Sequence, residues 1–195
     1  MHPRTEELLR HLDTTRGILS AAVDTVPSAL RETQPAPDRW SVANVLEHLT
    51  RVEEQITRLL AKRLADSRDA GALPPETRSS SVLESIDQRL LLDRTRRITS
   101  NERSLPTGTM DSAAAMAALE HTRAALRELV ISYDGMDLSG MTFPHPALGM
   151  LDGYGWFAFI GMHEARHAAQ IREIASSGHP EPQSPAGRAD SRSDP

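Results

Sequence analysis

The sequence predicts an all-α protein, a four-helix bundle with a long connection between the second and third helices. Apolar residues recur every three or four positions along four long stretches, which is the period of an amphipathic helix. Extended runs in which β-branched residues alternate with polar ones, the pattern of strands, are absent. We therefore expect helices that pack on helices, without a sheet.

The first two helices follow from two apolar stripes. The first stripe consists of Leu8, Leu12, Thr15, Leu19, Ala22 and Val26. Pro27 ends this helix because proline cannot continue it. The second stripe consists of Val42, Val45, Leu49, Val52, Ile56 and Leu59. Ser41 precedes the second stripe and is a good N-cap residue, so the second helix is predicted to begin there.

The third and fourth helices show the same period. The third stripe consists of Met116, Leu119, Thr122, Leu126, Leu129 and Tyr133. The fourth stripe consists of Trp156, Ile160, His163, His167, Ile171 and Ile174. We predict that the fourth helix runs from about Gly149 to Ser176. Two histidines therefore lie on its buried face.

Between the second and third helices lie some 45 residues, Ser67 to Asp111. A weaker helical pattern within them consists of Val82, Ile86 and Leu90. A connection of this length can cross the bundle and join two helices that run in the same direction. After the fourth helix, residues 178–195 have almost no apolar side chains. We predict one bundle domain, residues 1–177, and a disordered polar C-terminal tail, residues 178–195.

Composition restricts the function. The formal net charge is −5, so there is no large positive field to bind nucleic acid or an acidic membrane. The sequence shows neither a signal-peptide core nor a membrane span, and we expect a cytoplasmic protein. The chain has no cysteine, which excludes disulfides, thiolate ligands and a cysteine nucleophile. A metal must then be held by nitrogen and oxygen, and a thiol must arrive on a small molecule.

Three of the eight histidines lie at helix positions from which they could bind one metal ion together. His163 and His167 are four residues apart, so they point the same way from the fourth helix, and they lie on its apolar stripe. His48 lies at the edge of the stripe of the second helix, from where it can reach a neighbouring helix. Two ligands from one helix and one from a facing helix is how bundles build metal sites. The other five, predicted to be surface or loop residues, are His2, His11, His121, His145 and His179.

Two other interpretations of these histidines are open. Taken singly, each one also fits a core residue whose ring is hydrogen-bonded to a backbone carbonyl. The segment HEARH (163–167) also fits the H-E-x-x-H pattern of zinc proteases. However, Gln170 and Glu173 stand where the long version of that motif needs glycine and histidine. No sheet is predicted beside the helix, and we therefore interpret the protease match as accidental.

Three segments together resemble a known family. They are RWSVANVLEHL (39–49), FPHPALGML (143–151) and HEARHAAQI (163–171). In this order and spacing they are similar to the DinB superfamily, the DinB/YfiT-like group of metal-dependent enzymes. The resemblance spans roughly residues 5–176, although residues 67–111 match only in length and helical character.

This resemblance implies a four-helix bundle, often a homodimer, with a divalent metal held by His48, His163 and His167. It favours zinc or nickel, with iron and manganese as alternatives. Some relatives transfer low-molecular-weight thiols, and others are regarded as hydrolases. Glu164 is a candidate proton acceptor, but its direction fits a salt bridge to another helix equally well. Gln170 could orient a histidine ligand.

Two classes of function therefore remain open from the sequence. One is a metal-dependent hydrolase or thiol transferase that acts on a small molecule. The other is a non-catalytic helical dimer whose histidines bind a structural metal or fill the core. An open cavity over the three histidines would favour the enzyme, and a sealed one would favour the non-catalytic protein.

Overall fold

Four long helices make up most of the computed structural model, which describes residues 1–86, 92–95 and 102–177. The helices are α1 (Pro3–Asp24), α2 (Val42–Asp69), α3 (Ser112–Ser132) and α4 (Gly153–Ser176). The predicted all-α class is thereby confirmed. Leu90 and the tail 178–195 lie outside the described residues, so the expectations for them remain predictions. No helix in the described ranges is both long enough and apolar enough to cross a membrane.

Side chains cap the starts of the helices. Ser41 caps α2 as predicted: its hydroxyl accepts from the Asn44 amide at 3.1 Å, and the Asn44 side chain accepts from the Ser41 amide at 3.2 Å. Asp152 caps α4 by accepting from the Gly155 amide at 2.7 Å. This cap fixes the start of α4 at Gly153, so the predicted start near Gly149 was wrong.

A small hairpin precedes α4, which corrects the expectation of a fold without a sheet. Its strands are β1 (Phe143–His145) and β2 (Gly149–Leu151), paired antiparallel. The His145 ring closes the turn, because its Nδ1 accepts from the amides of Ala147 and Leu148 at 3.1 and 3.2 Å. Gly149 has a φ of 75°, which glycine adopts without strain. Within the described residues this two-stranded pair is the whole of the sheet structure.

The long connection joins parallel helices, as predicted. Near the start of both helices, the Thr50 hydroxyl of α2 donates to the carbonyl of Ala115 in α3 at 3.2 Å. Near their ends, the Arg68 guanidinium lies 5.5 Å from the centre of the Tyr133 ring. Since contacts at both ends occur in the same order, α2 and α3 run side by side in the same direction.

The first and last helices form the other parallel pair. Arg4 lies over the Tyr154 ring at 5.1 Å near their starts, and Arg172 reaches the carbonyl of Ile18 near their ends at 3.4 Å. These two helices make one of the two extensive helix contacts in the bundle, and α2 with α3 make the other. Gly161 permits the contact of α1 with α4, because a Cβ there would collide with the ring of His11. The bundle is thus two parallel pairs, α1 with α4 and α2 with α3.

A charged layer crosses the middle of the bundle, with one buried side chain from each helix. Its members are Arg16 of α1, Glu53 of α2, Arg123 of α3 and Glu164 of α4. Glu164 pairs with Arg16 at 2.7 Å and with Arg123 at 2.8 Å, and Glu53 pairs with the same two arginines at 3.3 and 2.8 Å. Two positive and two negative charges cancel, so the layer is buried without net charge.

The layer separates two hydrophobic clusters. The larger cluster includes Leu12, Ile56, Leu126 and Ile160 and lies toward the starts of α1 and α4. The smaller cluster includes Leu19, Leu49, Leu119 and Ala168 and lies toward their ends. On every helix the charged residue falls between its two apolar neighbours. The four helices therefore pack at matched heights, with α1 and α4 antiparallel to α2 and α3.

Glu76 anchors the long connection to the bundle. Its buried carboxylate accepts from Arg4 at 2.8 Å, from the Tyr154 hydroxyl at 2.6 Å and from the Arg78 side chain at 3.1 Å. Its amide donates to the carbonyl of Gly135 at 2.8 Å. Burial alone would raise the pKa of Glu76, but the hydrogen bonds from Arg78, Tyr154 and Arg4 outweigh it and lower the pKa to about 2.

This lowered pKa predicts acid sensitivity. The folded protein binds fewer protons at Glu76 than the unfolded chain, so its contribution is complete above about pH 5 and disappears as the pH falls toward 2. We expect Glu76→Gln to cost about 2 kcal/mol at pH 7, a figure reduced for the solvent screening of exposed Arg78. Denaturant unfolding between pH 7 and 3 measures both variants, and their difference should shrink as the pH falls.

The matched control is Glu128→Gln, which removes an exposed carboxylate of α3. It should change the free energy of unfolding by less than about 0.5 kcal/mol. A difference between wild type and Glu76→Gln that stays constant over the whole pH range would contradict the role given to Glu76.

Candidate metal centre

The structure brings together the three histidines that the sequence singled out. His48 comes from α2, and His163 and His167 come from successive turns of α4. One ring nitrogen from each lies within 4.8 Å of the other two. The Nε2 atom of His163 is 3.4 Å from Nε2 of His48 and 3.1 Å from Nε2 of His167. The three Nε2 atoms therefore face one shared point.

Two of the rings are oriented by acceptors on their far side. His48 Nδ1 lies 2.7 Å from the carbonyl oxygen of Ser104, and His167 Nδ1 lies 2.8 Å from Oε1 of Gln170. Arg94 donates to the same Gln170 oxygen at 3.5 Å, which supports this orientation of the amide. Both partners are oxygens that can only accept a hydrogen bond. Each ring therefore carries its proton on Nδ1 and turns the lone pair of Nε2 toward the cluster.

The donor set fits a divalent cation. Two nitrogen ligands at 2.0–2.1 Å from a tetrahedral zinc are about 3.3–3.4 Å apart, close to the spacing of the Nε2 atoms. Burial lowers the pKa of all three rings, that of His163 well below 6.5 and that of His167 to about 3. Neutral imidazoles at pH 7 are the form that binds metal.

A loop clamped onto α2 supplies the Ser104 carbonyl. The carboxylate of Glu47, which is 2% exposed, accepts from the Thr107 amide and hydroxyl at 2.9 and 2.5 Å and from the Gly108 amide at 2.9 Å. About one and two turns further along α2, Arg51 and Gln55 donate to the carbonyl of Arg103. Glu47 thus holds the segment that orients its neighbour His48. This function was missed from the sequence.

A cavity of about 1610 Å³ lies over the three Nε2 atoms. It opens to solvent, since its lining includes Leu59 and Leu105, which are 36% and 42% exposed. Both tryptophans of the chain line it, Trp40 and Trp156. The Trp40 ring centre is 4.9 Å from that of His48, so a signal from this residue will report on the site.

Of the histidines expected at the surface or in loops, one lines the cavity and another lies between two helices. His145 is in the hairpin and lines the cavity, where burial lowers its pKa to about 4. His11 lies in the α1–α4 interface, and its Nε2 is 3.0 Å from the carbonyl oxygen of Ala158. The resemblance had included the His145 turn, but no periodicity distinguished His11, because a half-buried histidine looks like a surface one in an amphipathic pattern.

Glu164 does not line the cavity. Although it adjoins His163, its carboxylate is 1% exposed and belongs to the charged layer, bound to Arg16 and Arg123. Of the two roles open to it from the sequence, the structure shows the salt bridge to neighbouring helices. Both of its oxygens are bound by buried arginines, and Glu164 is not among the residues that line the cavity, so this geometry does not support a role as proton acceptor.

A family model matches most of this chain. The model of the DinB superfamily matches residues 11–171, which include all three histidines. The chain belongs to the DinB superfamily. The match covers α2, α3 and nearly all of α4, and it begins within α1.

Two further comparisons show similar proteins. The DinB-superfamily chain is 27% identical over 147 residues to YuaE of Bacillus subtilis (strain 168), described as uncharacterized. The matched region is 72% of this chain and 80% of YuaE. It also superposes on the crystal structure of TT2238, a four-helix bundle protein, with a TM-score of 0.50 and 22% identity. This superposition covers 89% of this chain and 99% of TT2238 and supports the fold.

The hydrogen bond from His167 predicts a specific effect of Gln170. Gln170→Leu removes the acceptor for Nδ1–H, and metal affinity should fall about 10- to 100-fold. Gln170→Glu keeps an oxygen acceptor at the same place and should bind the metal with an affinity close to that of the wild type. Calorimetric zinc titration of both variants measures the difference. Equal losses in the two variants would show that the hydrogen bond is not responsible.

The buried position of Glu164 predicts a structural effect. Glu164→Gln leaves two buried arginines with one carboxylate, and we expect a loss of about 3–5 kcal/mol in the free energy of unfolding. Metal affinity should be preserved. The control is Glu120→Gln, which removes a partner of Arg16 that is 56% exposed and should cost less than about 1 kcal/mol. Unchanged stability in Glu164→Gln would refute the role of the layer.

Proposed function

We propose that this DinB-superfamily protein is a metal-dependent enzyme that acts on a small molecule at the three-histidine cluster. The open cavity above the three Nε2 atoms carries this proposal. A structural metal is enclosed by its protein ligands, whereas a catalytic one keeps a position open to solvent. Zinc or nickel suits three neutral imidazoles, and iron or manganese is the alternative.

In this proposal the residues of the protein would bind the cation and orient its ligands. His48, His163 and His167 would hold the cation, with Ser104 and Gln170 fixing two of the rings. A bound divalent cation supplies a Lewis acid that lowers the pKa of a water or thiol ligand and so provides a nucleophile at neutral pH. Because the chain has no cysteine, this nucleophile comes from solution, as water for hydrolysis or as a low-molecular-weight thiol for transfer.

The volume of the cavity is compatible with either reaction. Ligand pockets commonly measure about 300–1,000 Å³, and this cavity is larger. It can therefore accommodate a thiol beside a second substrate. As expected from the sequence, we also propose that the protein is a homodimer and that it is located in the cytoplasm.

Replacing one histidine ligand tests the proposal. His163→Ala should abolish stoichiometric binding of metal, measured by elemental analysis and by the fluorescence of the two cavity tryptophans. Losing a metal present at a hundredfold excess over its dissociation constant removes about 2.7 kcal/mol, and the melting temperature should fall by roughly 5 °C. Helical circular dichroism should stay near wild type, because the two apolar clusters and the charged layer remain.

The control is His121→Ala, an exposed histidine of α3, which should bind metal as the wild type does. Metal-loaded wild type, His163→Ala and His121→Ala are then compared in a screen for hydrolysis and thiol transfer, and activity should disappear only in His163→Ala. If a chelator collapses the helicity of the wild type, the metal is structural and the enzyme proposal is wrong.

A further inference from the structure

One wall of the cavity is largely apolar. α2 and α4 are antiparallel, so residues that follow His48 in α2 lie beside residues that precede His163 in α4. Toward that end α2 presents Val52, Ile56 and Leu59 to the cavity, and α4 presents Trp156 and Phe159. At 1.5 Å per residue, this apolar wall extends about 10 Å from the cluster along α4 and about 16 Å along α2.

Cationic side chains surround the rest of the cavity. Among the described residues, its lining contains five arginines and only two carboxylates, Asp38 and Glu173, although the whole chain has a net charge of −5. Arg94 and Arg58 have acidic partners, Glu173 at 2.7 Å and Glu54 at 2.9 Å. The cavity therefore has the opposite charge from the protein as a whole.

Two of these arginines are available to a ligand. Within the described parts of the chain, the guanidinium groups of Arg39 and Arg103 have no hydrogen-bond partner, although the charge of Arg39 acts on the Glu173 carboxylate, and both side chains are exposed. Each precedes a residue that contacts the His48 ring: the Trp40 ring lies tilted beside it, and the Ser104 carbonyl accepts from its Nδ1. Both arginines therefore line the cavity beside residues that contact His48.

We propose that the cavity binds an organic anion with an apolar body, its acidic head group held by Arg39 and Arg103 and its body along α2 and α4. Guanidinium groups bind carboxylate, sulfonate and phosphate oxygens through charge-assisted hydrogen bonds. The apolar wall would cover a body several carbon atoms long. This inference rests on the proposed function, since it assigns a substrate class to the same site.

A series of alkane sulfonates tests the inference, because a sulfonate is a poor metal ligand and reports on the arginines. Butane-, hexane- and octanesulfonate are titrated into zinc-loaded protein, and the fluorescence of Trp40 and Trp156 is followed. Affinity should rise about fourfold for each added methylene. Octyltrimethylammonium, which has a similar body and the opposite charge, should not compete with octanesulfonate.

Matched variants separate the two halves of the cavity. Arg39→Gln combined with Arg103→Gln should weaken octanesulfonate binding about tenfold or more, while Arg10→Gln, an exposed arginine of α1 outside the cavity, should not. Leu59→Gln should reduce the gain with chain length. Its control is Ile131→Gln, whose side chain is 37% exposed on α3, against 36% for Leu59.

The result that overturns the inference is distinct from the failure of the proposed function. The substrate class is refuted if the affinity for sulfonates does not depend on chain length, or if it is unchanged in the double arginine variant. This holds even when zinc binds normally. Loss of the proposed function instead appears as zinc binding that survives His163→Ala. Zinc titration of the arginine variants, expected to match wild type, keeps the two results separate.

Discussion

Everything in this fold depends on a buried layer of four charges. Apolar side chains pack acceptably in more than one register, but buried ions do not, because a charge without its partner costs several kcal/mol. Arg16, Glu53, Arg123 and Glu164 pair only when all four helices stand at one height. We infer that the layer selects the register of the bundle, and that the apolar clusters on either side supply most of the stability.

The metal centre depends on that register. His163 directly precedes Glu164 in α4, so the histidine cluster and the charged layer lie at nearly the same height on different faces of the helix. A slip of α2 by one turn would displace His48 by about 5.4 Å, more than the 4.8 Å within which the three nitrogens lie. The two arginines shared by Glu53 of α2 and Glu164 of α4 thus place His48 opposite its two partners.

The residues whose positions follow from the helical period of apolar side chains were predictable from the sequence. The four stripes located the helices, and the phase of His163 and His167 placed both rings on the inner face of α4. The chain direction of α2 and α3 followed from the length of their connection. Each of these inferences needs only the residue types and their spacing.

Other features depend on partners that spacing does not identify. The acceptor for His48 is a backbone carbonyl, and every residue has one, so nothing marks Ser104. Strands of three residues are too short to show an alternating pattern, and the hairpin was therefore missed. Glu164 had two possible roles because a charged residue beside a ligand can face the site or the core, and only the packed helices decide which.

The pairing of α1 with α4 has a consequence for how the protein is made. These two helices are the first and last of the four, yet they share one of the two extensive helix contacts of the bundle. On the ribosome, the apolar face of α1 emerges more than a hundred residues before the helix that covers it. Leu8, Leu12 and Leu19 must therefore be kept from aggregating until α4 has been synthesised, because the core and the metal centre can form only once that helix is present.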